Sequence, residues 1–163
     1  MQIKNVSVIG AGTMGNGIAH VFAQSGFNVH LADVQAPALI NAIRTITKNF
    51  DRLIAKGTAN EEDKINALSK IKTFTKISEA VKNVQLVVEA ATENVDLKLK
   101  IFKDIDAAAP PDCILASNTS SISITLIASV TKRPTQIIGM HFMNPVPLMK
   151  LVEIINGYAT DKN

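Results

Sequence analysis

The chain has 163 residues, 47% hydrophobic and 19% charged, with eight glycines and six prolines. That composition suits one globular domain and excludes a disordered tail, a collagen and a coiled coil. A formal charge of +3 and a pI near 9.0 fit an anionic ligand, and one Tyr without a dense Lys/Arg block disfavours nucleic acid.

An apolar run over 6–9 stops at Gly10, as a buried strand does. It is too short for a signal segment and far short of the ~20 residues of a membrane span. The chain is therefore expected to begin where its fold begins, in the cytoplasm. Helical spacing of Ile18, Ala19, Val21 and Phe22 predicts a helix over 14–24, stopped by Ser25-Gly26. A second strand is predicted over 28–33, which completes a right-handed βαβ unit. Two helical patterns fill 36–71, parted by Lys56-Gly57-Thr58-Ala59-Asn60. They read as a helical hairpin set between strands two and three. Further strands are predicted at 73–75, 86–89, 114–116, 136–140 and 148–155, with helices at 94–108 and 122–130. This alternation specifies an α/β fold: a doubly wound, mostly parallel Rossmann sheet with a helical hairpin inserted after strand 2. Aromatics are scarce and Trp is absent, so the core is aliphatic. The one cysteine, Cys113, forms no internal disulfide and reads as an inert core thiol of a reducing compartment.

Gly10-Ala11-Gly12-Thr13-Met14-Gly15 fits G-x-G-x-x-G. Glycines are common in turns, so the pattern alone is weak. Here it follows a strand, opens a helix and precedes an acid, Asp33, at about the 20-residue distance of a dinucleotide site. Gly10 permits the tight turn, Gly12 lets a pyrophosphate reach the backbone, and Gly15 allows close packing. The helix N-terminus offers free N–H groups to the phosphates. Asp33 is placed to accept the adenosine ribose hydroxyls and to repel a 2′-phosphate. Val34 and Gln35 follow it, so no adjacent Arg favours NADP. The cofactor implied is NAD.

A second constellation gathers where ligands bind in such sheets, beyond the strands' carboxyl ends. Asn118-Thr119-Ser120-Ser121 follows the strand at 114–116, and His141 follows the strand at 136–140, with Asn144 just beyond. Glu153 interrupts an apolar strand. Pointing inward, its carboxylate needs a partner, and His141 could serve, its tautomer fixed for proton transfer. Equally, His141 could be a hydrogen-bonded structural residue and Glu153 could face water. His20 reads as a packing or surface residue and His30 as structural. The three histidines lack metal-ligand spacing, so no metal is expected.

The glycine loop, Ala116-Ser117-Asn118-Thr119-Ser120-Ser121, and His141-Phe142-Met143-Asn144-Pro145 with Met149-Lys150-Leu151-Val152-Glu153 together resemble the 3-hydroxyacyl-CoA dehydrogenase family, in particular its bacterial 3-hydroxybutyryl-CoA branch. The likeness covers essentially the whole chain. It implies NAD-dependent interconversion of (S)-3-hydroxyacyl-CoA and 3-oxoacyl-CoA. By this resemblance His141 is the catalytic base and Glu153 its paired acid. Ser120 contacts the substrate oxygen and the cofactor, and Asn144 lies near the nicotinamide. Glu93 and Lys98 contact the cofactor. Lys56 meets the coenzyme A phosphates, although a lysine at a helix C-terminus is also favourable on dipole grounds alone.

Family members continue into a helical C-terminal domain that completes the substrate pocket and supplies dimer contacts. The expected organisation is therefore a dinucleotide-binding domain over 1–157 and the start of a linker over 158–163. The acyl-CoA and that second domain are the expected partners, with a homo-oligomeric parent and no nucleic acid or membrane. Two other readings stay open: a non-catalytic NAD-binding module of the same family, and a phosphogluconate-type 3-hydroxyacid dehydrogenase.

Overall fold

A computed structural model describes residues 2–161; Lys162 and Asn163, part of the expected linker, lie outside the described residues, as does Met1. The strands are β1 (Asn5–Ile9), β2 (Asn28–Ala32), β3 (Ile71–Phe74), β4 (Leu86–Glu89), β5 (Ile114–Ser117), β6 (Ile137–Phe142) and β7 (Val152–Asn156). The helices are α1 (Thr13–Gln24), α2 (Ala36–Ala55), α3 (Glu61–Ser69), α4 (Ile77–Ala80), α5 (Val95–Ala108) and α6 (Ile124–Ala128). They form one seven-stranded sheet in the order β3-β2-β1-β4-β5-β6-β7. The first six strands are parallel, and β7 runs antiparallel to β6. This is the doubly wound sheet expected, with α2 and α3 as the inserted hairpin.

Side chains alternate across each central strand, so both faces carry apolar cores. Val6, Val8, Leu86 and Val88 pack with Ile18 of α1, Ile46 and Phe50 of α2 and Ala67 of α3. Ile9, Val87 and Leu115 pack with Ala80 of α4, Phe102 and Ile105 of α5 and Ile127 of α6. None of the described helices is long and apolar enough to cross a membrane.

Several strand bounds need correction, among them the third strand, which runs over Ile71–Phe74 rather than 73–75. Gln136 belongs to a 3-10 turn (Pro134–Gln136), so the strand at 136–140 shifts and His141 lies inside β6 rather than after it. The last strand starts at Val152, not at 148, because Asn144 to Leu148 form turns in which the Leu148 and Met149 N–H groups close on Pro145. Hydropathy could not separate that apolar turn from a strand. The short helix α4 was not anticipated. Beyond β7, residues 157–161 turn back: the Tyr158 N–H donates to Thr125 Oγ1 at 2.9 Å and Thr160 Oγ1 donates to the Ile137 carbonyl at 2.7 Å.

His20 is a core residue. It is fully buried in α1, stacks on Phe50 with ring centroids 4.6 Å apart, and neither ring nitrogen has a partner among the described residues. Burial pushes its pKa down to about 4. The unfolded chain therefore binds the extra proton first, and this site's stability, complete well above pH 6.5, drains away as pH falls toward 4. Between pH 7 and 5 the loss should be about 2 kcal/mol. Urea unfolding of the chain and of His20→Leu at both pH values measures it. The variant should lack that share of the acid sensitivity, and an identical pH slope would refute it.

Candidate active site

The glycine loop turns from β1 into α1. Gly10 has φ of +100°, and a Cβ there would lie 2.7 Å from the Ala90 carbonyl oxygen. At Gly15 a Cβ would lie 1.7 Å from the Gly10 carbonyl oxygen and 3.7 Å from Val8 Cγ1. Its glycine thus serves closure of the turn against the helix more than packing on the strand. Gly12 differs, for a Cβ there would meet nothing within 4 Å. Open space fronts the backbone at the one glycine assigned to a pyrophosphate.

The first turn of α1, with Thr13 and Met14, carries no side-chain cap and no acid. Asn60 caps α3, Asn94 caps α5 and Ser123 caps α6, whereas α2 and the short α4 have no side-chain cap either, α2 starting with Pro37 in its first turn. The orphan N–H groups and dipole of α1 are therefore left for an anion. Asp33 is half-buried beside them. Its Oδ2 accepts the Ala11 N–H and its Oδ1 the Gln35 N–H, both at 2.9 Å. Each carboxylate oxygen keeps a lone pair for a hydroxyl. Asp33 lines a cavity of about 370 Å³ with Gly10, Ile77, Ala91, Leu97 and Ile101, an apolar slot of the kind an adenine ring needs. Lys100 on its rim is paired with Asp104 at 2.7 Å. A dinucleotide fits these residues.

At the other end of the sheet, β6 and β7 bring His141 opposite Glu153. His141 Nδ1 and Glu153 Oε2 are 2.8 Å apart. Glu153 is half exposed, yet it meets the imidazole rather than water alone. Both line a cavity of about 400 Å³ that also holds Ser120, on the turn after β5. With Nδ1–H donating to the carboxylate, Nε2 is the nitrogen left to accept a proton. Three of the predicted site residues thus share one wall.

The remaining predicted residues are placed differently. Asn144 is exposed in the turn after β6, its side chain without a hydrogen bond among the described residues. Lys56 ends α2 in solvent and lines neither of these two cavities. Glu93 is held beside Ser120 through a 2.8 Å hydrogen bond from Thr119 Oγ1. Lys98, expected as a cofactor contact, has its side chain 1% exposed and turned inward. Its ammonium meets the Glu89 carboxylate and, at 3.2 Å, Ser117 Oγ. Glu89 Oε2 also accepts from Ser117 Oγ at 2.9 Å, while Oε1 accepts the Ala91 N–H at 2.8 Å.

Glu89, Ser117, Asn118 and Thr119 therefore brace the site, and sequence reading gave them no such role. A signal existed, since Glu89 closes an apolar strand much as Asp33 directly follows one. No group of three or more His, Cys, Asp or Glu among the described residues could hold a metal ion. Burial raises the Cys113 thiol to about 12, far from a nucleophile's range.

Comparison with known proteins bears on this geometry. A family model described as 3-hydroxyacyl-CoA dehydrogenase, NAD binding domain, matches residues 5–163. The 3-hydroxybutyryl-CoA dehydrogenase of Bradyrhizobium diazoefficiens is 52% identical over 98% of this chain and 54% of its own length. The probable 3-hydroxybutyryl-CoA dehydrogenase of Bacillus subtilis is 45% identical over 99% of this chain and 56% of its own. The crystal structure of (S)-3-hydroxybutyryl-CoA dehydrogenase PaaH1 from Ralstonia eutropha has a TM-score of 0.96 and 49% identity, over 99% of this chain and 56% of that one. The chain spans about half the length of these relatives.

Proposed function

This chain belongs to the 3-hydroxyacyl-CoA dehydrogenase family as its NAD-binding domain, and from that premise we propose that it supplies the cofactor site and the acid–base pair of an enzyme interconverting (S)-3-hydroxyacyl-CoA and 3-oxoacyl-CoA. The relatives' names favour 3-hydroxybutyryl-CoA as substrate. NAD, when bound, supplies the hydride acceptor. The glycine loop, the first turn of α1 and Asp33 hold its diphosphate and adenosine end, with Glu93 and Asn144 toward the nicotinamide. Lys98 supports that end from the interior.

His141 takes the proton of the 3-hydroxyl at Nε2, while Glu153 fixes the tautomer and stabilises the imidazolium. In reverse the imidazolium returns the proton to the 3-oxygen. Ser120 donates a hydrogen bond to that oxygen, and Lys56 meets the coenzyme A phosphates. The domain runs over 1–157, and 158–163 lead toward a helical second domain that shields the site from water and joins the subunits of a cytoplasmic homo-oligomer.

The observation that carries this reading is the His141–Glu153 pair in one cavity with Ser120. The test is an NADH titration followed by acetoacetyl-CoA reduction, with and without His141→Gln. We expect NADH to bind, turnover by this chain to be slow, and His141→Gln to lower it by roughly 10²–10⁴ while NADH affinity holds. Undiminished turnover in the variant would remove the base and favour the non-catalytic module. Tighter NADP than NAD binding would favour the phosphogluconate-type reading.

A further inference from the structure

We propose that Asn118 is a positioning residue for His141, an inference that rests on His141 being the base proposed above. Strands β5 and β6 pair at Leu115, Ala116 and Ser117, and the last pair is Ser117 with Gly139. Strand β6 continues through Met140, His141 and Phe142, which pair only with β7. His141 therefore sits on an overhang with a strand on one side and none on the other. An inward-facing amide there has lost its ladder acceptor, and a buried N–H without a partner is disfavoured.

Asn118 replaces the missing strand. Its side chain lies within the interior, and Oδ1 accepts the Phe142 N–H at 2.9 Å. Asn118 is itself anchored, since its own N–H donates to the Glu89 carbonyl at 2.8 Å. The Glu89 side chain is locked in turn by Lys98, Ser117 and the Ala91 N–H. A hydrogen-bonded tie thus runs from the centre of the sheet to the residue beside His141. On the far side the overhang meets only β7, an edge strand whose residues are all exposed. The 2.8 Å contact between His141 and Glu153 needs the two strands held in register. Asn118 keeps β6 from swinging away with its imidazole, without touching any reacting atom. The neighbouring residues in this motif have other tasks: Ser117 bonds Glu89, Thr119 bonds Glu93, and Ser120 is left facing the cavity.

The test compares the 163-residue chain with Asn118→Ala and Asn118→Asp by NMR. One measurement is amide hydrogen exchange at Phe142, with Val88 in the sheet centre as the control. The other is the His141 tautomer, read from long-range ¹H–¹⁵N correlations at pH 8. In Asn118→Ala, Phe142 exchange should rise roughly tenfold over the control. The single Nδ1–H tautomer of the unaltered chain should become a mixture. Asn118→Asp keeps an acceptor oxygen and should preserve both signals. Should Asn118→Ala fail to fold, Asn118→Ser repeats the test with a hydroxyl too short to reach Phe142. Either signal unchanged in a folded Ala or Ser variant overturns the proposal, as does loss of both in a folded Asp variant. NADH binding and His141→Gln turnover judge the enzymatic reading, and neither enters this comparison.

Discussion

Gly15→Ala is expected to destabilise the domain severely, whereas Gly12→Ala should fold normally and bind its dinucleotide at least roughly tenfold more weakly. The added Cβ at Gly15 would stand 1.7 Å from the Gly10 carbonyl oxygen and 2.7 Å from its carbon. Both are backbone atoms, held where β1 turns into α1, and no rotamer change can relieve the overlap. Parting helix from turn would cost more than ~4 kcal/mol, a large share of the ~5–15 kcal/mol that holds an ordinary domain. Gly12 has an ordinary φ of −68° and open space around the added methyl. Stability there should move by less than about 1 kcal/mol. The methyl would occupy the approach of the diphosphate, so NADH affinity should fall roughly tenfold or more, a change of at least ~1.4 kcal/mol. Circular dichroism melts and NADH fluorescence titrations separate the two effects. Unchanged NADH affinity in Gly12→Ala would mean that the diphosphate lies elsewhere.

Lys98→Met should destabilise the domain by about 3–5 kcal/mol, because it strands the Glu89 carboxylate in the interior. Both side chains are essentially inaccessible. After the substitution Glu89 keeps the Ser117 hydroxyl and the Ala91 N–H but has no countercharge. Glu89→Gln combined with Lys98→Met removes the charge and retains an oxygen for Ala91, so the double variant should recover much of the loss. A double-mutant cycle in urea yields the coupling. If the two single effects simply add, the pair is not the unit described here.

What could be read from residue order follows from the reach of the physics involved. The glycine loop and Asp33 were legible because turn sterics and a strand-end acid act over a few residues. The His141–Glu153 pair could be suspected because its strands are neighbours along the chain, though only their antiparallel register settled the contact. The inward turn of Lys98 was not legible because its partners come from β4 and β5, and no local pattern says that an ammonium at the start of α5 pairs with them. Asn118 was noticed as part of a motif, but its acceptor role depends on where β5 ends relative to β6. His20 was ambiguous for a similar reason, since the ring of Phe50 that covers it belongs to another helix.

Asp33 does two jobs with one carboxylate. The carboxylate that lines the apolar cavity also fastens the glycine loop, its Oδ2 accepting the Ala11 N–H. Efforts to retune this scaffold toward a phosphorylated dinucleotide by exchanging that acid for a small or basic residue would therefore slacken the very turn they depend on. A successful redesign has to furnish a substitute acceptor for the Ala11 N–H at the same time, so a single replacement at Asp33 alters the shape of the loop together with its charge.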